Sequence, residues 1–119
     1  MYNDVKTFIE ACEQEKNEKN ILLYKNLVRE EFDEFIKAYL ESHEEDMLDG
    51  CMDMIWVILG FCYMKGYDVQ GAWNEVARSN LSKIDAVTGK VIKNKNGKVM
   101  KPEGWSPPNL KPFVKKIIR

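Results

Sequence analysis

Residues 51–64, CMDMIWVILGFCYM, constrain this chain more than any other stretch, because they are apolar on every side except for one aspartate, Asp53. A proline-free run of that length reads as a helix enclosed by other helices. An isolated carboxylate there would lose its hydration, so Asp53 needs a partner: a buried Arg or Lys, or a bound cation. The preceding ESHEED supplies a turn and an acid-rich helix start, which suits the positive end of the helix dipole, and Lys65-Gly66 ends the helix.

The rest of the chain divides around that helix. Val5, Phe8, Ile9 and Cys12 fall at i, i+3, i+4, i+7 and predict a short amphipathic helix over 4–14, followed by the polar linker EQEKNEKN. Asn20 is the expected N-cap of a second helix over 21–41, whose apolar positions 21, 24, 28, 32, 35, 36 and 39 form one stripe. Asp68 caps a fourth helix carrying Val69, Ala72, Trp73, Val76 and Ala77 to Asn80, with Trp56 and Trp73 expected in the core. After Ile84, Asn96-Gly97 between two short runs predicts a small β-hairpin, and Pro102, Pro107, Pro108 and Pro112 mark a tail expected to wrap over the bundle or a neighbouring subunit. The expectation is a single all-α domain over 1–119, with a helical core at 4–84 and the hairpin and Pro-rich tail at 85–119.

Charge is distributed unevenly although the net is only −1. Residues 30–53 hold ten acids against one lysine, and residues 78–119 hold eleven Lys/Arg against two acids, so the middle suits cations and the tail suits anions. At about 100° per residue, Glu31 lies at the edge of the second helix's apolar stripe with Glu34 just outside it, while Glu30 and Asp33 turn further toward solvent. On the third helix Asp46, Asp49 and Asp53 fall within about 60° of one another. Two helices presenting carboxylates at these spacings can converge on a hard divalent cation, Mg²⁺ or alternatively Mn²⁺. A solvated acidic face, or an acidic groove for a basic partner on a catalytically silent module, is the competing reading.

Several chemistries are excluded by what the sequence lacks. One histidine, His43, rules out a His-rich zinc site and the Glu-x-x-His pairs of di-iron bundles, and no EF-hand loop occurs. Cys12, Cys51 and Cys62 make no CxxC pair and read as buried free thiols of a reducing compartment. No secretory segment and no uninterrupted membrane-length apolar run is evident, so a cytoplasmic protein with no membrane partner is expected.

These residues resemble a known family, the all-α nucleoside triphosphate pyrophosphohydrolases of the MazG type, including the phage-type phosphoribosyl-ATP pyrophosphohydrolase-like subgroup. EEFDEF matches the Glu-x-x-Glu element through Glu31 and Glu34, and DGCMDMIWVILG resembles the second element with Asp53 as its closing aspartate. Gly50 stands where the family has a glutamate, and Asp49 resembles the Asp-x-x-x-Asp variant; Asp46 or a water is the alternative fourth ligand. RSNLSK resembles the Asn-x-x-Lys segment, and GKVMKPEGWSPPNL resembles the subgroup's tail.

The resemblance implies hydrolysis of a (d)NTP to (d)NMP and pyrophosphate in a phage-type nucleotide pool, in the host cytoplasm if phage-encoded, with phosphoribosyl-ATP or another pyrophosphate-linked nucleotide as the alternative substrate. It implies metal ligation by Glu31, Glu34, Asp49 and Asp53, and orientation of the attacking water by Glu30 or Glu34. It further implies substrate contacts from Arg78, Asn80, Lys83 and, near the base, Trp105. A homodimer or homotetramer is expected, with a nucleotide substrate and no nucleic-acid polymer as partner.

Overall fold

The computed structural model describes residues 1–114, and the part of the expected tail beyond them lies outside the described residues. Among the described residues five helices follow one another: α1 Tyr2–Ala11, α2 Glu18–Leu40, α3 Glu44–Lys65, α4 Val69–Leu81 and the single turn α5 Lys111–Val114. The chain forms two compact units, one over Met1–Tyr67 and one from Asp68 onward.

In the first unit, α2 and α3 form a helical hairpin and α1 lies on α3. The N-cap of α2 is Asn17, not Asn20: extended Asn17 accepts the backbone N–H of Asn20 at 2.9 Å. Asn20 instead donates its amide to the Glu15 carbonyl at 2.7 Å, which ties down the linker and lets α2 start three residues early. α1 stops at Ala11 because Glu13 takes a positive φ of 56°. Ser42, also at positive φ, turns the chain into α3, whose first turn holds Glu44, Glu45 and Asp46. Gly66 closes α3 in the left-handed conformation, donating to the Cys62 and Tyr63 carbonyls.

Val5 and Ile9 of α1, Tyr24 of α2, and Val57 and Met64 of α3 make the core, with Ile21, Leu27, Val28, Leu59 and Phe61 around it. Full burial of residues such as Ile9 and Met64 contributes about 1.5–3 kcal/mol each. Two glycines set the closeness of α2 and α3. Tyr24 lies where a Cβ on Gly60 would be, and its hydroxyl donates to Gln14 Oε1 at 2.7 Å; the backbone and Cβ of Phe35 lie 3.2 Å from where a Cβ on Gly50 would be.

Helix α3 departs from the enclosed helix that its sequence suggests. Gly50, Val57, Gly60 and Met64 are buried, but Leu48 is 62% exposed, Met52 50% and Ile58 45%, because α1 and α2 cover only one side of it. By length and composition α3 would also pass as a membrane span; within this unit it is the central helix, with Asp49 and Asp53 on it. Trp56, expected in the core, is 37% exposed and makes an edge-to-face contact with Phe8, centroids 5.7 Å apart. The cysteines are free as expected, but Cys12 is exposed and Cys51 and Cys62 are half-buried.

In the second unit Asp68 caps α4 as expected, accepting the Gly71 N–H at 3.0 Å. The expected hairpin is not formed: only the isolated bridges Ile84↔Val91 and Lys93↔Val99 occur, and no strand exists among the described residues. The runs are too short and too rich in Lys and Asn to extend a ladder beyond the turns that Asp85 and Asn94 organise. The tail folds back along α4. Buried Ser79 donates to the Ser106 carbonyl at 2.9 Å, the Trp105 indole donates to the Ser79 carbonyl at 2.8 Å, and the Asp68 N–H donates to the Phe113 carbonyl at 2.9 Å. Trp73, expected in the core, is 69% exposed.

Candidate functional site

The acids of α2 and α3 divide by environment. Glu31 and Asp53 are half-buried, whereas Glu30, Asp33, Glu34 and Asp49 are exposed. Desolvation pushes the Glu31 carboxyl up to about 7, helped by a hydrogen bond shared with Glu34 and by the charges of Glu34, Asp53 and Glu30. Asp53 is raised by burial first, then by the charges of Asp49 and Glu34. Four carboxylates from two helices therefore act on one another.

Cationic side chains do not relieve that repulsion. Among the described residues none of Glu31, Glu34, Asp49 and Asp53 is in an ion pair, while Asp33 is taken by Arg29 at 3.5 Å and Asp46 by His43 at 3.2 Å. No three His, Cys, Asp or Glu side chains among the described residues converge into a ready-made metal cage. The donor set still fits Mg²⁺, which is commonly held by one or two carboxylates together with waters and substrate phosphates, and only oxygen donors are offered here. A shallow hollow on the outer side of α2 is lined by Asn26, Arg29, Glu30, Asp33, Glu34 and Lys37, so Glu34 borders both this hollow and the acids of α3.

Gly50 has a packing reason. A side chain there would bring its Cβ to 3.2 Å from the backbone and Cβ of Phe35, tighter than ordinary contact, whereas Asp49, one residue earlier, is exposed and bears electrostatically on Asp53.

The other expected site residues lie in the second unit. Arg78 donates to Glu75 at 2.9 and 3.1 Å and reaches the Pro107 carbonyl at 3.4 Å. Lys83 donates to Asn80 Oδ1 at 3.1 Å, and its ammonium lies 5.4 Å from the centroid of the Trp105 ring. The sequence reading missed Glu75 and Ser79. Glu75 accepts from Arg78 and from the Asn109 N–H at 2.7 Å, which lowers its carboxyl to about 2. Its one legible signal was the i, i+3 spacing to Arg78.

A family model described as phosphoribosyl-ATP pyrophosphohydrolase matches residues 4–80, a span that includes all the carboxylates of α2 and α3 and ends at Asn80. No curated protein matches the chain.

Proposed function

The chain belongs to the phosphoribosyl-ATP pyrophosphohydrolase family, nucleotide pyrophosphohydrolases that act on acid anhydrides, and on that premise we propose that it cleaves (d)NTP to (d)NMP and pyrophosphate with a divalent metal. The observation that carries the metal dependence is the raised carboxyls of Glu31 and Asp53, beside the charges of Glu34 and Asp49 and without a cationic side chain to relieve them. Mg²⁺, or Mn²⁺ in its place, would be held by these four and would supply phosphate neutralisation and a polarised water. Glu34, which shares a hydrogen bond with Glu31, would orient that water and accept its proton, with Glu30 as the neighbouring alternative. Arg78, Asn80, Lys83 and Trp105 offer donors and an aromatic ring to a nucleotide. Phosphoribosyl-ATP itself is the second substrate reading, favoured by the description of the matching family. The phage-type assignment rests on the tail after residue 80, beyond the matched span.

The exposed apolar residues Tyr39, Leu40, Leu48, Met52 and Ile58 of α2 and α3 support a homodimer or homotetramer, since monomers rarely leave such a surface open. A cytoplasmic location fits a nucleotide substrate.

Pyrophosphate release from a panel of NTPs, dNTPs and phosphoribosyl-ATP, with Mg²⁺ or with EDTA, tests the reading. Metal-dependent release from at least one of them is expected, and release from none would refute it. Asp53→Asn should keep the helical circular dichroism and lower turnover by at least about 100-fold; a fully active variant would overturn the ligand assignment.

A further inference from the structure

A surface in the second unit shares Lys83 and Trp105 with the proposed nucleotide contacts, but its other lysines take no part in the proposed hydrolysis. Between residues 83 and 105 six lysines, Lys83, Lys90, Lys93, Lys95, Lys98 and Lys101, face only Asp85 and Glu103 as acids. Five of the six are exposed, and none of the six is in an ion pair among the described residues. The carboxylate of Asp85 is engaged by its own turn, accepting the N–H groups of Val87 at 2.7 Å and Thr88 at 3.0 Å.

The segment is held in shape without a sheet. The Asp85 N–H donates to the Lys90 carbonyl at 2.8 Å, the Met100 N–H to the Ile92 carbonyl at 2.7 Å and the Asn94 N–H to the Lys98 carbonyl at 2.9 Å. The Asn94 side chain accepts from the N–H groups of Asn96 and Lys98. Lysines on a backbone already ordered lose less entropy on binding than those of a flexible tail. At its end stands Trp105, its indole fixed to the Ser79 carbonyl, with the Lys101 ammonium 4.9 Å and the Lys83 ammonium 5.4 Å from the ring centroid.

We propose that this lysine-rich segment and Trp105 form a docking surface for single-stranded nucleic acid. Repeated unpaired ammonium groups neutralise successive phosphates, and a fixed, half-exposed indole offers a stacking face that only unpaired bases can reach. A lipid surface is disfavoured because the turn at 94–97, Asn-Lys-Asn-Gly, is polar, and Trp105 is tethered beside α4 instead of projecting from a tip. The sequence reading gave this tail to anions but expected no nucleic-acid polymer as partner, and the proposal departs from that expectation. The fixed indole flanked by two ammonium groups is what the structure adds.

The test uses the full chain in EDTA, so that hydrolysis is silent, with a fluorescein-labelled oligo(dT) of about 20 nucleotides followed by anisotropy. Contact with about five phosphates predicts a log–log salt slope near −3.5, so affinity should fall roughly 100-fold from 50 to 200 mM KCl. The triple variant Lys93→Gln, Lys95→Gln, Lys98→Gln should bind at least about tenfold more weakly at 50 mM with a slope near −1.4, while circular dichroism and the rate of pyrophosphate release stay unchanged. Equal binding by this variant would overturn the proposal. So would equal affinity for a duplex of the same length, or binding to phosphatidylserine vesicles in place of the oligonucleotide.

Discussion

Glu31 and Asp53 show what separates a ligand from a surface charge when neighbouring acids look alike in sequence. Both are half-buried and both are raised by desolvation before any neighbouring charge acts, whereas Asp33 and Asp46 are occupied by Arg29 and His43. The projection of the helices made the division between Glu31 and Glu30 legible, since it depends only on turn angle. It could not show the hydrogen bond between Glu31 and Glu34, which depends on how closely two side chains approach. The proton on the raised Glu31 carboxyl has a measurable consequence in the metal-free protein. The folded state holds it up to about pH 7 while the unfolded chain releases it near the ordinary glutamate value, so folding stability falls as pH rises through that window. With solvent screening the effect is of order 1 kcal/mol, a fall in Tm of roughly 4 °C between pH 5 and pH 8 in EDTA. Glu31→Gln should flatten that difference in a differential scanning calorimetry series; an unchanged slope would show that another group carries it.

At the level of elements, α2 and α3 were legible because their signals are long and periodic, and the caps of α3 at Gly66 and of α4 at Asp68 follow from local chemistry. The failures occur where local signals compete. Asn17 and Asn20 are both good caps, and the choice went to Asn17 because Asn20 was needed for the Glu15 carbonyl. Asn96-Gly97 does make a turn, with Gly97 at φ 82°, but a turn is not a ladder when its flanking residues have no third strand to bury them. The approach of α2 to α3 was equally illegible, since a helical glycine carries no sign of what will lie over it. Gly60→Ala puts a methyl group into the Tyr24 ring and should cost about 1–3 kcal/mol, measured by urea unfolding. Loss of less than about 0.5 kcal/mol would mean that Tyr24 can swing aside.

For the molecule as a whole, the sequence placed α3 in an enclosed core, and the single chain leaves much of it open: Leu48 and Met52 on α3, like Leu40 on α2, are at least half exposed. A single sequence cannot tell apolar residues buried by their own chain from those awaiting another copy. Leu48→Glu should therefore move the protein toward monomer in analytical ultracentrifugation at micromolar concentration, and a wild-type protein that already sediments as a monomer would refute the assembly. The two glycines of α3 bear on how such a protein changes over time. Gly50 and Gly60 bracket Asp53, and sliding α3 along α2 by a single residue would bring a side chain against Phe35 or Tyr24 in place of a hydrogen. They act like the notches of a key, fixing the carboxylates' alignment by shape alone. One acid could then be exchanged for another on either helix without the fold having to be found again.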